Sequence, residues 1–90
     1  MKSVLDVRFR KAFRRLPLQI RKQARQAYQF FKDDPHHPSL HFKRVGRSLP
    51  IYSARVTLDY RVLGILEEDT IIWFWIGSHD EYERILASLK

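Results

Sequence analysis

The chain has 90 residues, 44% hydrophobic and 13% aromatic, with 17 Lys and Arg against 10 Asp and Glu and a net charge of +7. That length predicts one domain, residues 1–90, and the apolar content excludes a disordered chain. The lack of cysteine excludes disulfides and thiolate catalysis, the four histidines alone argue against a metal centre, and no apolar run reaches the roughly 18–20 residues that span a bilayer, so a cytoplasmic protein is expected.

A short strand is expected near residues 3–7. Phe9, Ala12, Phe13 and Leu16 then recur at i, i+3, i+4 and i+7, the stripe of an amphipathic helix that Pro17 ends. Proline also suits the first turn of a following helix, and Ile20, Ala24, Ala27, Tyr28 and Phe31 keep helical spacing until "DDP" stops it at Pro35. The result is a helical hairpin. Its outer faces carry Arg10, Arg14, Arg15, Arg21, Lys22 and Arg25, which form either a solvated face or a stripe that meets RNA or a partner. "HHPSLHFKRVGRSLP" reads as a loop on its prolines and glycine.

Beyond it the period changes to two. "IYSARV", "YRVLGIL" and "TIIWFWI" are β-branched and aromatic runs separated by "TLD" and "EED", which predicts an antiparallel meander. Alternation in the last run puts Ile71, Trp73 and Trp75 on one face and Ile72, Phe74 and Ile76 on the other, so both faces need cover. The hairpin can supply one; the C-terminal segment, a ligand or a second protein must supply the other. "HDEYERILASLK" has Tyr82, Ile85, Leu86 and Leu89 at helical spacing and closes the chain as a short helix. The fold class is therefore α+β, in the order β-α-α-β-β-β-α, with the helical hairpin on one face of a small antiparallel sheet.

The turn lengths decide which side chains meet. If "TLD" forms a three-residue loop, Arg55 lies opposite Arg61 on one face; a two-residue loop pairs Arg55 with Val62 and turns it away. Two arginines paired across strands with no acid nearby repel one another, an arrangement that suits a phosphate between them. A two-residue turn at Glu68–Asp69 would place Ile76 opposite Arg61 and bring His79 out just beyond. Gly77 would then permit a sharp turn that sets the imidazole over the cationic patch. The alternative is a glycine that merely ends a strand and a histidine in the first turn of a helix capped by Ser78 or Asp80. The +7 charge, with 11 arginines among the 17 cations, favours a polyanion or an acidic protein as partner, because the guanidinium fork matches phosphate and carboxylate.

"HHPSLHFKRV", "IYSARV", "DYRVLG" and "IGSHDEYERIL", in that order behind an amphipathic helical hairpin, resemble the RelE/ParE superfamily of bacterial toxins, and most closely its YafQ-like branch. The resemblance implies the toxin of a type II toxin–antitoxin pair that cleaves mRNA, usually on the ribosome, without metal or cofactor, and that an acidic antitoxin neutralises. By position, Arg61 matches the arginine that contacts the scissile phosphate, His79 the catalytic C-terminal residue, Tyr82 an aromatic that stacks on a base or assists proton transfer, and Arg55 a basic residue of the preceding strand. Ser53 stands where RelE proper carries a second lysine. Metal-free RNA cleavage needs a base, an acid and cations at the phosphate, which imidazole and guanidinium groups supply. No membrane or small-molecule ligand is expected. The rival expectations are a ParE-like gyrase poison without chemistry of its own and a non-toxic binding module.

Overall fold

The computed structural model describes residues 1–89. Strand β1 (Lys2–Leu5) leads into α1 (Val7–Arg14) and α2 (Leu18–Asp33), a 3-10 turn at Pro38–Leu40, strands β2 (Lys43–Arg44), β3 (Ile51–Thr57), β4 (Tyr60–Glu67) and β5 (Thr70–Ser78), and helix α3 (His79–Ser88). Asp6 starts α1 by accepting the Arg8 backbone N–H, and Pro17 stands at the N-cap of α2. The strand order is β1-β5-β4-β3-β2.

Two features correct the expected sheet. It is mixed rather than antiparallel, because β1 runs parallel to β5, with Leu5 beside Trp73. A parallel partner needs a long connection, and almost the entire chain serves as that connection. The long loop also contributes β2, which pairs Lys43 with Ser53 and Arg44 with Tyr52. The backbone N–H and C=O groups of an extended segment beside a strand are best satisfied by pairing with it, and this favours a strand over an irregular path.

The core has two halves, one on each face of the sheet. Phe9, Ala24, Phe31, Leu40, Ala54, Val62, Ile71, Trp73 and Ile76 fill the space under the hairpin, where the edge of Phe31 meets Trp73 with centroids 5.2 Å apart. On the other face Ile51, Leu63 and Tyr82 are buried together with Phe74, Trp75, Ile85, Leu86 and Leu89 around them. The C-terminal helix is thus the cover that the doubly apolar strand required. Strict alternation fails inside that strand, however. The register passes from Leu63–Trp75 to Gly64–Trp73, which leaves Phe74 as a bulged residue. Before the bulge Ile71 and Trp73 face the hairpin; after it Ile76 does, and Trp75 turns to the α3 side. One extra residue inverts the phase of everything that follows.

Candidate functional site

The turn between β3 and β4 organises the site. Thr57 pairs with Tyr60, so the loop is the two residues Leu58 and Asp59, yet Arg55 still stands opposite Arg61. A bulge at Val56 reconciles the two. Neither simple alternative read from the sequence holds, because the bulge restores the register that a two-residue loop would have lost. The second bulge has a similar effect: Glu67 pairs with Thr70 as expected, but Arg61 lies opposite Gly77 rather than Ile76.

Arg61 is locked to this turn. Its Nη1 donates to the carbonyls of Thr57 at 2.6 Å, Leu58 at 3.1 Å and Tyr60 at 3.1 Å. These bonds fix one arm of the guanidinium and leave Nε and Nη2, two aligned donor atoms, for an oxyanion. Burial first, and the Arg55 charge second, lower the pKa of Arg61, while Tyr82, Asp59 and Glu83 act in the opposite direction. The group stays cationic throughout any accessible pH. Among the described residues neither Arg55 nor Arg61 forms an ion pair with a carboxylate, so the two stand as a double positive charge in a half-buried setting.

His79 hangs from the same turn. Its backbone N–H donates to the Asp59 carbonyl at 2.7 Å, one residue from the carbonyls that hold Arg61. Ser78 caps α3 by accepting the Glu81 N–H at 3.2 Å, and Glu81 returns a carboxylate to the Ser78 backbone, a reciprocal capping box. Glu81 is thereby committed to the helix start. The imidazole instead meets Glu83, with Nε2 3.3 Å from Oε1, and its side chain is 41% exposed. That contact leaves Nδ1 free for a substrate. Removing the cap by Ser78→Ala is expected to cost about 0.5–2 kcal/mol of stability, read from urea denaturation.

Gly77 does not act as expected. No glycine in the described residues has a positive φ, and β5 continues through it to Ser78, so no sharp turn occurs there. The residue is small because the Trp75 indole lies over it: an added Cβ would fall 2.4 Å from Cζ2.

Tyr82 is also corrected. It is only 4% exposed, in the core beneath α3, and its hydroxyl donates to Ser53 Oγ at 3.1 Å. A ring so enclosed offers no face to a base. Its centroid lies 5.9 Å from that of His79, so it supports the imidazole from below. Ser53, itself buried, takes the hydroxyl where a lysine would have no room for its charge. Tyr82→Phe leaves that serine without its partner and is expected to cost about 1–3 kcal/mol, while the folded variant retains its activity. Comparing denaturation midpoints with activity per folded molecule checks this.

The structure thus brings Arg55, Arg61 and His79 around one turn and sends Tyr82 into the core. Two participants escaped the sequence reading. Glu83 lies four residues after His79, the spacing at which helical side chains meet, and that spacing was the available signal. The Asp59 carbonyl carried no signal, because a backbone group leaves no mark on composition. Among the loop histidines, His37 stacks on Phe30 at 4.4 Å and accepts the Ser39 N–H through Nδ1, a local role in the 3-10 turn. Among the described residues no three His, Cys, Asp or Glu side chains are grouped to hold a metal ion, and no helix is long and apolar enough to cross a membrane.

A ParE-like toxin domain model matches residues 18–84. The chain belongs to that family. It lies within the RelE/ParE superfamily of type II toxins, and the fold agrees. The toxin–antitoxin complex RelB-RelE from Methanococcus jannaschii superposes with a TM-score of 0.73 at 18% identity, covering 91% of this chain and 96% of that one. The RelE-RelB complex from Pyrococcus horikoshii OT3 gives 0.69 at 17% identity, covering 86% and 92%. The isolated RelE toxin of E. coli gives 0.63 at 16% identity over 99% of this domain and 98% of that chain. A comparison with curated protein sequences gave no match.

Proposed function

We propose that this domain is the toxin of a type II toxin–antitoxin pair and acts as a metal-free endoribonuclease on mRNA, in the setting of the ribosome, so that translation stops. The observation that supports the reading is the β3–β4 turn, which holds both the Arg61 guanidinium and the backbone of a half-exposed histidine. In the reaction the RNA 2′-oxygen attacks the adjacent phosphorus as its proton leaves, the bond from phosphorus to the 5′-oxygen breaks, and that oxygen takes up a proton. Arg61 binds the phosphate through Nε and Nη2, and Arg55 adds the second charge that stabilises the growing oxyanion. His79 exchanges the proton through Nδ1, while Glu83 holds the ring at Nε2. Tyr82 touches no substrate. The partner is an acidic antitoxin, a reading supported by the +7 charge and by the antitoxin complexes of similar fold.

The test is induction of the toxin in growing cells followed by mapping of transcript ends. New ends within coding regions, formed again by purified protein on ribosome-bound message in magnesium-containing buffer, support the nuclease. Intact transcripts with broken DNA would support a ParE-like gyrase poison, to which the family match lends weight. Glu83→Gln is expected to slow cleavage severalfold without changing the denaturation midpoint, because an exposed i, i+4 pair adds only about 0.2–0.5 kcal/mol of stability.

A further inference from the structure

A cavity of about 140 Å³ lies between α2 and the edge of β3. Gln23, Gln26, Ala27 and Phe30 form its helical wall, at the i, i+3, i+4 and i+7 spacing that puts them on one face of α2, and Arg55 and Val56 close it from the strand. The only side-chain hydrogen bond that α2 makes among the described residues is that of Gln29 to Asp33. The amides of Gln23 and Gln26 therefore face the cavity without a protein partner, each with both donors and an acceptor to offer. Phe30 adds a flat apolar wall, which the stack on His37 at 4.4 Å holds in place.

The strand side is open as well. β2 pairs with β3 only at Tyr52 and Ser53, so from Ala54 onward the outer edge of β3 has no neighbouring strand, and the Val56 bulge falls in that free stretch. Arg55 links this edge to the site. It lines the cavity, yet it stands opposite Arg61, whose guanidinium senses its charge. Paired strands lie about 4.8 Å apart, so an RNA whose phosphate rests on Arg61 has its neighbouring base within reach of the cavity.

We infer that this cavity takes one unpaired base of the RNA beside the scissile phosphate, and that Gln23 and Gln26 select it, with adenine preferred. Single-stranded RNA is read in this way, by bases splayed against aromatic rings and hydrogen-bonded along their edges. A carboxamide matches adenine in particular, because its oxygen accepts from N6 while its nitrogen donates to N7. With Arg55 engaged by the phosphate, the two amides do the selecting. The inference rests on the nuclease reading above and adds to it a residue pair that sets where the message is cut.

The experiment uses the intact toxin on ribosome-bound messages in which each base flanking the cleavage point is varied in turn, with kcat/KM as the readout. The unmodified protein is expected to favour adenine at one flanking position by about tenfold or more, the order that one good bidentate contact to a base supplies. Gln23→Leu with Gln26→Leu is expected to reduce that preference to within about threefold while messages carrying the poorest base there are cut as before. Gln19→Leu, on the exposed part of α2 outside the cavity, should leave the preference unchanged. A folding defect would slow all four messages alike, so the ratio reports selection alone. Absence of an adenine preference at every flanking position, or a preference that survives in the double variant, overturns the inference and leaves the nuclease reading intact. Inhibition by adenosine monophosphate that the double variant loses, with base preference the same in both proteins, would assign the cavity to a free nucleotide and overturn it equally. If the unmodified protein cuts none of the messages, the nuclease reading itself fails and the inference falls with it.

Discussion

Replacing His79 with alanine is expected to slow RNA cleavage by about 10²- to 10⁴-fold, the range that one positioned general acid or base contributes. Stability should change little. The side chain is half-exposed, its polar contact is the surface pair with Glu83 beside the packing on Tyr82, and the bond that ties it to the β3–β4 turn is made by the backbone and survives the substitution. Arg61→Ala is expected to cost about 10²- to 10³-fold, but it also removes the cap on three carbonyls, so a loss of fold and a loss of chemistry would be confounded. Arg61→Lys separates them, since an ammonium can still reach a carbonyl but cannot offer two aligned donors to a phosphate. Single-turnover cleavage of ribosome-bound message, normalised to the folded fraction by circular dichroism, measures all three. Full activity in both His79→Ala and Arg61→Lys would remove the nuclease reading and leave a basic domain that works by contact alone.

The helical hairpin was legible in the sequence because its apolar period is long and sustained, and Pro17 and Pro35 punctuate it where backbone hydrogen bonding must stop. The meander was legible for the same kind of reason. Register was not, because each bulge is a single inserted residue that alternation cannot reveal: Val56 rescued the Arg55–Arg61 pairing from a loop of the wrong length, and Phe74 moved Gly77 into the place expected of Ile76. Tyr82 shows two signals in competition. Helical spacing with Ile85, Leu86 and Leu89 marked it as core, resemblance marked it as a site residue, and burial of its ring against Leu63 decided for the core. Strand β1 was found but its direction was not, since pairing across the length of the chain leaves no local trace.

Gly77→Ala is expected to destabilise the domain by about 1–3 kcal/mol, a large share of the 5–15 kcal/mol that holds a typical domain folded. The added methyl would stand 2.4 Å from Trp75 Cζ2 and 2.9 Å from Cη2, and the indole has little freedom to withdraw because Leu63, opposite Trp75, is fully buried. Displacement would pass to the site as well as to the core. Gly77 is paired with Arg61 and is followed directly by Ser78, the cap that sets the first turn of α3 and with it His79. Cleavage should therefore fall by more than the unfolded fraction accounts for. Trp75→Leu in the same chain makes room for the methyl, so the double variant is expected to be more stable than the sum of the two single losses predicts, with a coupling of about 0.5–3 kcal/mol. Urea midpoints for the four proteins of this cycle measure that coupling. Strictly additive losses would mean that Trp75 is not what keeps position 77 a glycine, and the link from strand packing to the placement of the imidazole would be broken.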